Sequence, residues 1–321
     1  MKTNKKHEKG DAYGDRLFSF LHAHRIPAQK IIQLKPSVFF VQTDLYMYIL
    51  KGYNTYGKML QQLYILKSLQ HIAFPYTSYI RAFPEGRLYI KFDGKFWLFT
   101  DYIEHTAPFS FVSAKNRGDA LTLLNTYHQY ARRLPYQLLL HVPFQRWLSK
   151  WNNRTWKFYH HLRKILFYVD KEVANQCLRW AFFALSELSH ISMCCLPHTI
   201  LHGDIVEHNF VRGETLYLID FDCVSFGPVM YDYLSYCYSV LPCINWSFEA
   251  LYQYKELHPF LNQKPFLLSL IFPGDILREW SHFLSLPLAE QLRFQKKIVA
   301  FTEKQYEYRL AFVRKLYNMV T

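Results

Sequence analysis

The side chains best suited to chemistry lie between residues 202 and 232. His202-Gly203-Asp204 follows an apolar run at Ile200 and Leu201, and Asn209 stands five places after Asp204. A β-rich run from Phe210 to Arg212, a turn at Gly213-Glu214 and a second run from Thr215 to Ile219 read as a hairpin that delivers Asp220. The hairpin is expected to return Asp220 beside Asn209, so that three polar groups converge at one end of a small sheet. Such a trio suits phosphoryl transfer. One carboxylate orients an acceptor hydroxyl and takes its proton, while an amide oxygen and a second carboxylate hold Mg²⁺ against phosphates. Any one of these residues alone would read as a turn or helix cap, and it is the joint spacing that points to chemistry.

The spacing His-x-Asp-x-x-x-x-Asn resembles the catalytic loop of protein kinases. Gly203 where those enzymes carry Arg, and Asp220-Phe221-Asp222 where they carry Asp-Phe-Gly, resemble the aminoglycoside phosphotransferase and choline-kinase branch of the kinase-like fold. The resemblance implies an α+β, two-lobed protein kinase-like fold, with a small antiparallel N-lobe sheet bearing one helix and a larger, mostly helical C-lobe. It also implies Asp204 as the base, Asn209 and Asp220 as metal ligands, and ATP with Mg²⁺ as cofactors. His202 and Asp232 would support the catalytic loop, Asp232 from a helix start after Gly227-Pro228. Asp222 admits two readings, contact with a second Mg²⁺ or an Asx turn.

The elements that must position these residues follow from the pattern along the chain. Residues 1–28 read as an N-terminal tail and short helix, 29–104 as the N-lobe and hinge, and 105–321 as the helical C-lobe. Ile31-Ile32, Val38 to Val41 and Leu45 to Lys51 read as three strands, the third ending on Lys51. Lys51 thus stands where kinase-like enzymes place the lysine that pairs with the α- and β-phosphates. Arg87–Phe92 and Lys95–Thr100 flank the hairpin dipeptide Asp93-Gly94 and would complete a five-stranded sheet. The stretch Asp101-Tyr102-Ile103 then falls at the hinge, where backbone groups would meet an adenine edge. Helices are expected over about 113–132, 144–168 and 170–190, then at 247–256, 264–272, 275–285 and, as one long terminal element, 288–318. His128 reads as a packed histidine rather than a catalytic one.

Two expected parts are missing. The turn Leu34-Lys35-Pro36-Ser37 has no glycine to let backbone N–H groups approach phosphates, and Pro36 donates none. The helix expected over 55–69 carries no acidic residue to pair with Lys51, although Gln61 or Gln62 could bond it without charge. Both losses weaken nucleotide binding.

Bulk composition narrows the classes. A hydrophobic fraction of 50% and an aromatic fraction of 18% exclude general disorder. The net charge of +13 invites a nucleic-acid partner, but beyond Lys2, Lys5, Lys6 and Lys9 the basic residues are scattered, and no such partner is expected. Six cysteines show no paired spacing and no Cys-x-x-Cys. No run reads as a membrane span, and without an apolar signal core at the start, cytoplasmic synthesis is expected.

Several further stretches resemble the CotS-type, endospore coat-associated kinase-like proteins. These are Ile49-Leu50-Lys51, the Ala184 to His190 segment, His208-Asn209, Leu267 to Pro273, and the terminal helix. That resemblance implies synthesis in the mother cell, incorporation into the spore coat and other coat proteins as partners. Two functions stay open: an ATP- and Mg²⁺-dependent phosphotransferase acting on a small hydroxyl compound, or a catalytically weak or inactive kinase-fold scaffold of the coat. The acceptor has no readable signature in the sequence.

Overall fold

Alternating apolar residues in the first third of the chain build one antiparallel sheet in the computed structural model, which describes residues 12–321. The first part of the expected tail, residues 1–11, lies outside the described residues. The chain divides into two compact units. One comprises the residues up to Pro108 with Arg133–Val142 and Val211–Asp222, and the other Phe109–Arg132, Pro143–Phe210 and Cys223–Thr321.

In the first unit, helix α1 (Ala12–Ala23) precedes strands β1 (Lys30–Lys35), β2 (Val38–Gln42) and β3 (Met47–Tyr53). Helix α2 (Tyr56–His71) then leads to β4 (Ile80–Arg81), β5 (Ile90–Phe92) and β6 (Lys95–Asp101). The strand order is β1-β2-β3-β6-β4, with β5 also pairing β6. Six strands stand where five were expected, because β4 is a two-residue strand, too short to show a period of its own. Strand β3 also runs on to Tyr53, so Lys51 lies inside it, opposite Val38 on β2 and Leu98 on β6.

Side chains alternate across β3. Leu50 is buried with Phe39, Val41, Trp97 and Phe99 against Leu17, Phe20 and Leu21 of α1. Lys51 and Tyr53 therefore share the opposite face. Helix α2 starts at Thr55, whose hydroxyl accepts the Lys58 amide, and it buries Met59, Ile65, Leu66 and Leu69. Each such buried aliphatic side chain contributes roughly 1.5–3 kcal/mol.

The second unit is mostly helical. Ser113 caps α3 (Ala114–Ala131), and α4 (Trp147–His160) and α5 (Leu162–Ile165) follow. Asp170 caps α6 (Lys171–Ser189) by accepting the Glu172 and Val173 amides. Strand β7 (His198–Leu201) leads into the His202 loop, after which the chain returns to the first unit, where β8 (Phe210–Arg212) and β9 (Leu216–Leu218) form the expected hairpin. Strand β10 (Ser225–Pro228) pairs with β7, and α7 (Met230–Val240) follows it. Helices α8 (Phe248–Tyr252), α9 (His258–Leu261), α10 (Lys264–Ile271), α11 (Gly274–Phe283), α12 (Leu288–Glu303) and α13 (Tyr306–Val320) complete the chain. The single long terminal helix that was expected is two. The break falls at Gln305, whose amide group bonds Trp246 Nε1 at 2.8 Å and the Pro242 carbonyl at 2.9 Å.

Candidate active site

The residues singled out by the sequence fall into two groups, one in each unit. In the second unit the organiser is Asp232, in the first turn of α7 and fully buried. Its two carboxylate oxygens accept the backbone N–H groups of His202 and Gly203, each at 2.8 Å. A buried carboxylate bonded to two amides is well satisfied, and those bonds fix the turn that presents Asp204. The same face of α7 adds Ser235, whose hydroxyl accepts the Ile205 amide at 3.2 Å, and Ser239, which donates to the Ile205 carbonyl at 2.8 Å. Residues 232, 235 and 239 lie three and four apart, so one helix face holds the loop at three points.

Gly203 has φ +85° and is hemmed in, since a Cβ built there would lie 2.2 Å from the Cys223 carbonyl oxygen. Only glycine fits this position, which gives the absence of Arg in the loop a steric reason. His202 is fully buried and its Nδ1 accepts the Asp204 amide at 3.4 Å, so it supports the loop from within. His128 on α3 is packed as expected, with its Nε2 3.2 Å from Asp232 Oδ2. Among the described residues neither ring nitrogen has an aligned hydrogen bond, so the contact is close without being directional.

Asn209 ends a short 3₁₀ turn over Glu207–Asn209 and is 1% exposed. Its Nδ2 donates to the Asp204 carbonyl at 2.9 Å and to Asp204 Oδ2 at 3.1 Å. Its Oδ1 is buried without a hydrogen-bond partner among the described residues. An amide oxygen held this way is the kind of hard donor that Mg²⁺ accepts, and a cation would relieve its lack of a partner. Among the described residues no three or more His, Cys, Asp or Glu gather to hold a metal. Any cation would thus rely on amide and carboxylate oxygens together with those of a ligand.

In the first unit, Lys51 Nζ lies 2.8 Å from Asp220 Oδ1 and 2.7 Å from Asp222 Oδ2. Burial alone would lower the pKa of this ammonium, but Asp220 and then Asp222 outweigh burial and the net shift is upward. Asp220 follows β9 with φ +68°, a left-handed conformation that Asp tolerates. The Tyr53 hydroxyl, 3.4 Å from Asp222 Oδ1, is held well above the usual phenol pKa by burial and then by Asp222 and Asp220.

Both glutamines of α2 make bonds to other groups. Gln62 is buried and its Nε2 donates to the Phe221 carbonyl at 2.7 Å, while Gln61 Oε1 accepts from Lys58 at 3.0 Å. Lys58 itself donates to the Asp222 carbonyl at 2.6 Å. Sequence reasoning did not single out Lys58, Ser235 or Ser239. The spacing of the serines after Asp232 was the available signal, and Lys58 gave none.

The hinge expectation meets a constraint. The amide of Asp101 donates to the Tyr79 carbonyl at 3.0 Å and that of Tyr102 to the Met47 carbonyl at 3.2 Å. The Asp101 carboxylate pairs with Arg81 at 2.5 Å. Two of the three N–H groups in 101–103 are therefore already used by the sheet. The turn at Pro36-Ser37 is tight, with Ser37 at φ +63° and its carbonyl accepting Gly52 N–H at 2.8 Å. Lys95 donates to the Ser37 hydroxyl, so a cationic side chain borders the glycine-free turn.

Comparisons with known proteins bear on the fold. A family model described as the phosphotransferase enzyme family matches residues 34–255. A search of curated proteins finds no match. Among solved structures, an aminoglycoside phosphotransferase from Alicyclobacillus acidocaldarius superposes with a TM-score of 0.67 at 15% identity, covering 92% of this chain and 93% of that one. A spectinomycin phosphotransferase bound to AMP gives 0.68 at 15% identity, with 92% and 98% covered. The choline kinase of Streptococcus pneumoniae gives 0.55 at 14% identity, with 95% and 100% covered. Identities this low speak for the fold. The family match spans most of the chain, and the chain belongs to the phosphotransferase enzyme family, with its kinase-like α+β fold.

Proposed function

We propose that this member of the phosphotransferase enzyme family transfers the terminal phosphoryl group of ATP to a hydroxyl of a small molecule. The observation that carries the reading is the state of Asn209. Its amide nitrogen is spent on Asp204 and its Oδ1 is buried with no partner among the described residues, as a metal-binding asparagine beside a catalytic carboxylate would be. Asp204 would accept the acceptor's proton, and Asn209 and Asp220 would hold Mg²⁺. Lys51 would bind phosphate oxygens, and His202 and Asp232 would keep the loop in shape. Bound Mg²⁺ would neutralise charge developing on the phosphoryl group in transit. The segment Asp101-Tyr102-Ile103 would border the adenine through its remaining backbone groups.

The test is turnover. With Mg²⁺ and a panel of hydroxyl-bearing compounds, including water, ATP consumption by the parent protein should fall at least about a hundredfold in Asp204→Asn. ATP binding should survive that substitution, because the base does not hold nucleotide. Equal turnover in parent and variant would remove Asp204 from the mechanism.

A second reading is favoured by Pro36 in the phosphate turn and by the sheet-bound amides of Asp101 and Tyr102. In it the chain is a weakly active or inactive kinase-fold scaffold. Under either reading we place the protein in the endospore coat with other coat proteins as partners, after synthesis in the mother-cell cytoplasm. The whole-chain resemblance to coat-associated proteins supports that placement. A fluorescent fusion that stays dispersed in the mother cell through coat assembly would contradict it.

A further inference from the structure

In kinase-like phosphoryl transfer the lysine that touches the phosphates is kept in place by a carboxylate on the helix that follows it. Helix α2 has no carboxylate to offer between Tyr56 and His71. Lys51 is nevertheless not short of counter-charge. Asp222 Oδ2 lies 2.7 Å from its Nζ, marginally nearer than Asp220 Oδ1 at 2.8 Å. Asp222 is itself held in place, its carbonyl by the Lys58 ammonium at 2.6 Å and its Oδ1 by the Tyr53 hydroxyl at 3.4 Å. One residue before it, the Phe221 carbonyl accepts Gln62 Nε2 at 2.7 Å, and Gln62 is 2% exposed.

We propose that Asp222 is the positioning residue for Lys51, supplying from the Asp-Phe-Asp segment the negative charge that α2 lacks. Helix α2 has taken the complementary task of gripping the carbonyls of that segment through Gln62 and Lys58. This rests on reading Lys51 as a phosphate-binding lysine. The arrangement divides labour between two carboxylates. An ammonium has three N–H donors, so Lys51 can keep its bond to Asp222 while a third donor reaches a phosphate. Asp220 can then offer an oxygen to a cation without leaving a half-buried ammonium alone. Were Asp220 the sole partner, metal and lysine would compete for it.

The experiment has two arms. The first needs no nucleotide: melting temperatures of the parent, Lys51→Met, Asp222→Asn and the double variant form a cycle. The two losses should be non-additive, the double variant melting close to the lower single variant. Additive losses would show that the two side chains do not hold each other and would overturn the proposal. The second arm measures affinity for the non-hydrolysable analogue AMP-PNP. Asp222→Asn should weaken it about tenfold, Asp222→Glu should recover most of the loss, and the fold-loss should be the same with Mg²⁺ as in EDTA. A loss confined to Mg²⁺ would make Asp222 a metal ligand instead, and no loss would end its positioning role. If the parent protein binds no AMP-PNP, the phosphotransferase reading fails, and the melting cycle still decides whether Asp222 and Lys51 act as a pair.

Discussion

Asn209 Nδ2 stands 3.1 Å from Asp204 Oδ2, so the buried amide of Asn209 steers the Asp204 carboxylate. That task and the proposed contact with Mg²⁺ call for a side chain with a donor at one end and an acceptor at the other. Asn209→Asp keeps the shape but sets two carboxylates against each other in a site where residue 209 is buried. We expect it to lower stability by about 1–3 kcal/mol in denaturant unfolding at pH 7. A variant as stable as the parent at pH 7 would show that the Asn209–Asp204 bond does not matter.

Asp232 should be the most costly polar side chain in the loop's support. Asp232→Ala leaves the His202 and Gly203 amides without acceptors in a buried setting, and we expect a loss of about 3 kcal/mol or more. His128→Phe should cost less, because His128 meets Asp232 without an aligned bond, and the two losses should not add. Urea unfolding of the two single variants and of the double variant checks both statements.

Gly203→Ala combines a 2.2 Å approach to the Cys223 carbonyl with φ +85°. We expect a loss of at least about 2 kcal/mol and a collapse of turnover, since the turn that carries Asp204 must shift. Gly57, whose surroundings leave its Cβ position open, is the control, and Gly57→Ala should be tolerated.

Alkaline pH should unfold the protein cooperatively. Burial, and then the nearby Asp232, pushes the Tyr231 phenol up to about 12 from its ordinary value of 10.0. Tyr127, Tyr233, Tyr236 and Tyr238 move the same way, burial again leading. Above pH 10 the unfolded chain releases these protons while the folded one keeps them, so stability falls as pH rises through 10 toward 12 and beyond. Phenolate absorbance should therefore show a reversible, exposed fraction titrating near pH 10 and the rest appearing together with loss of far-UV circular dichroism.

What the sequence showed were the features whose cause is local. The helix starts near residues 55 and 113, the turn between β8 and β9, and the run of His202, Asp204, Asn209 and Asp220 need only near neighbours to be recognised. The features that stayed hidden have distant causes. Between α12 and α13 stands Gln305, whose amide Trp246 and Pro242 claim, and nothing between residues 288 and 318 signals that break. Strand β4 exists because β6 pairs with it, and Lys58 became part of the site because the Asp222 carbonyl lies within its reach. The absent helix acid was legible, but its replacement at Asp222 was not, since the two lie far apart in the chain.

The central claim is that this site binds Mg-ATP, and melting temperature reads it directly. At a hundredfold excess of nucleotide over Kd a ligand of the folded state adds about 2.7 kcal/mol, or roughly 4 °C for a chain of this size. The parent protein should gain that shift with Mg-ATP, lose most of it in EDTA and lose it in Asp220→Ala. No shift in the parent at millimolar Mg-ATP, or an equal shift in Asp220→Ala, would contradict the account.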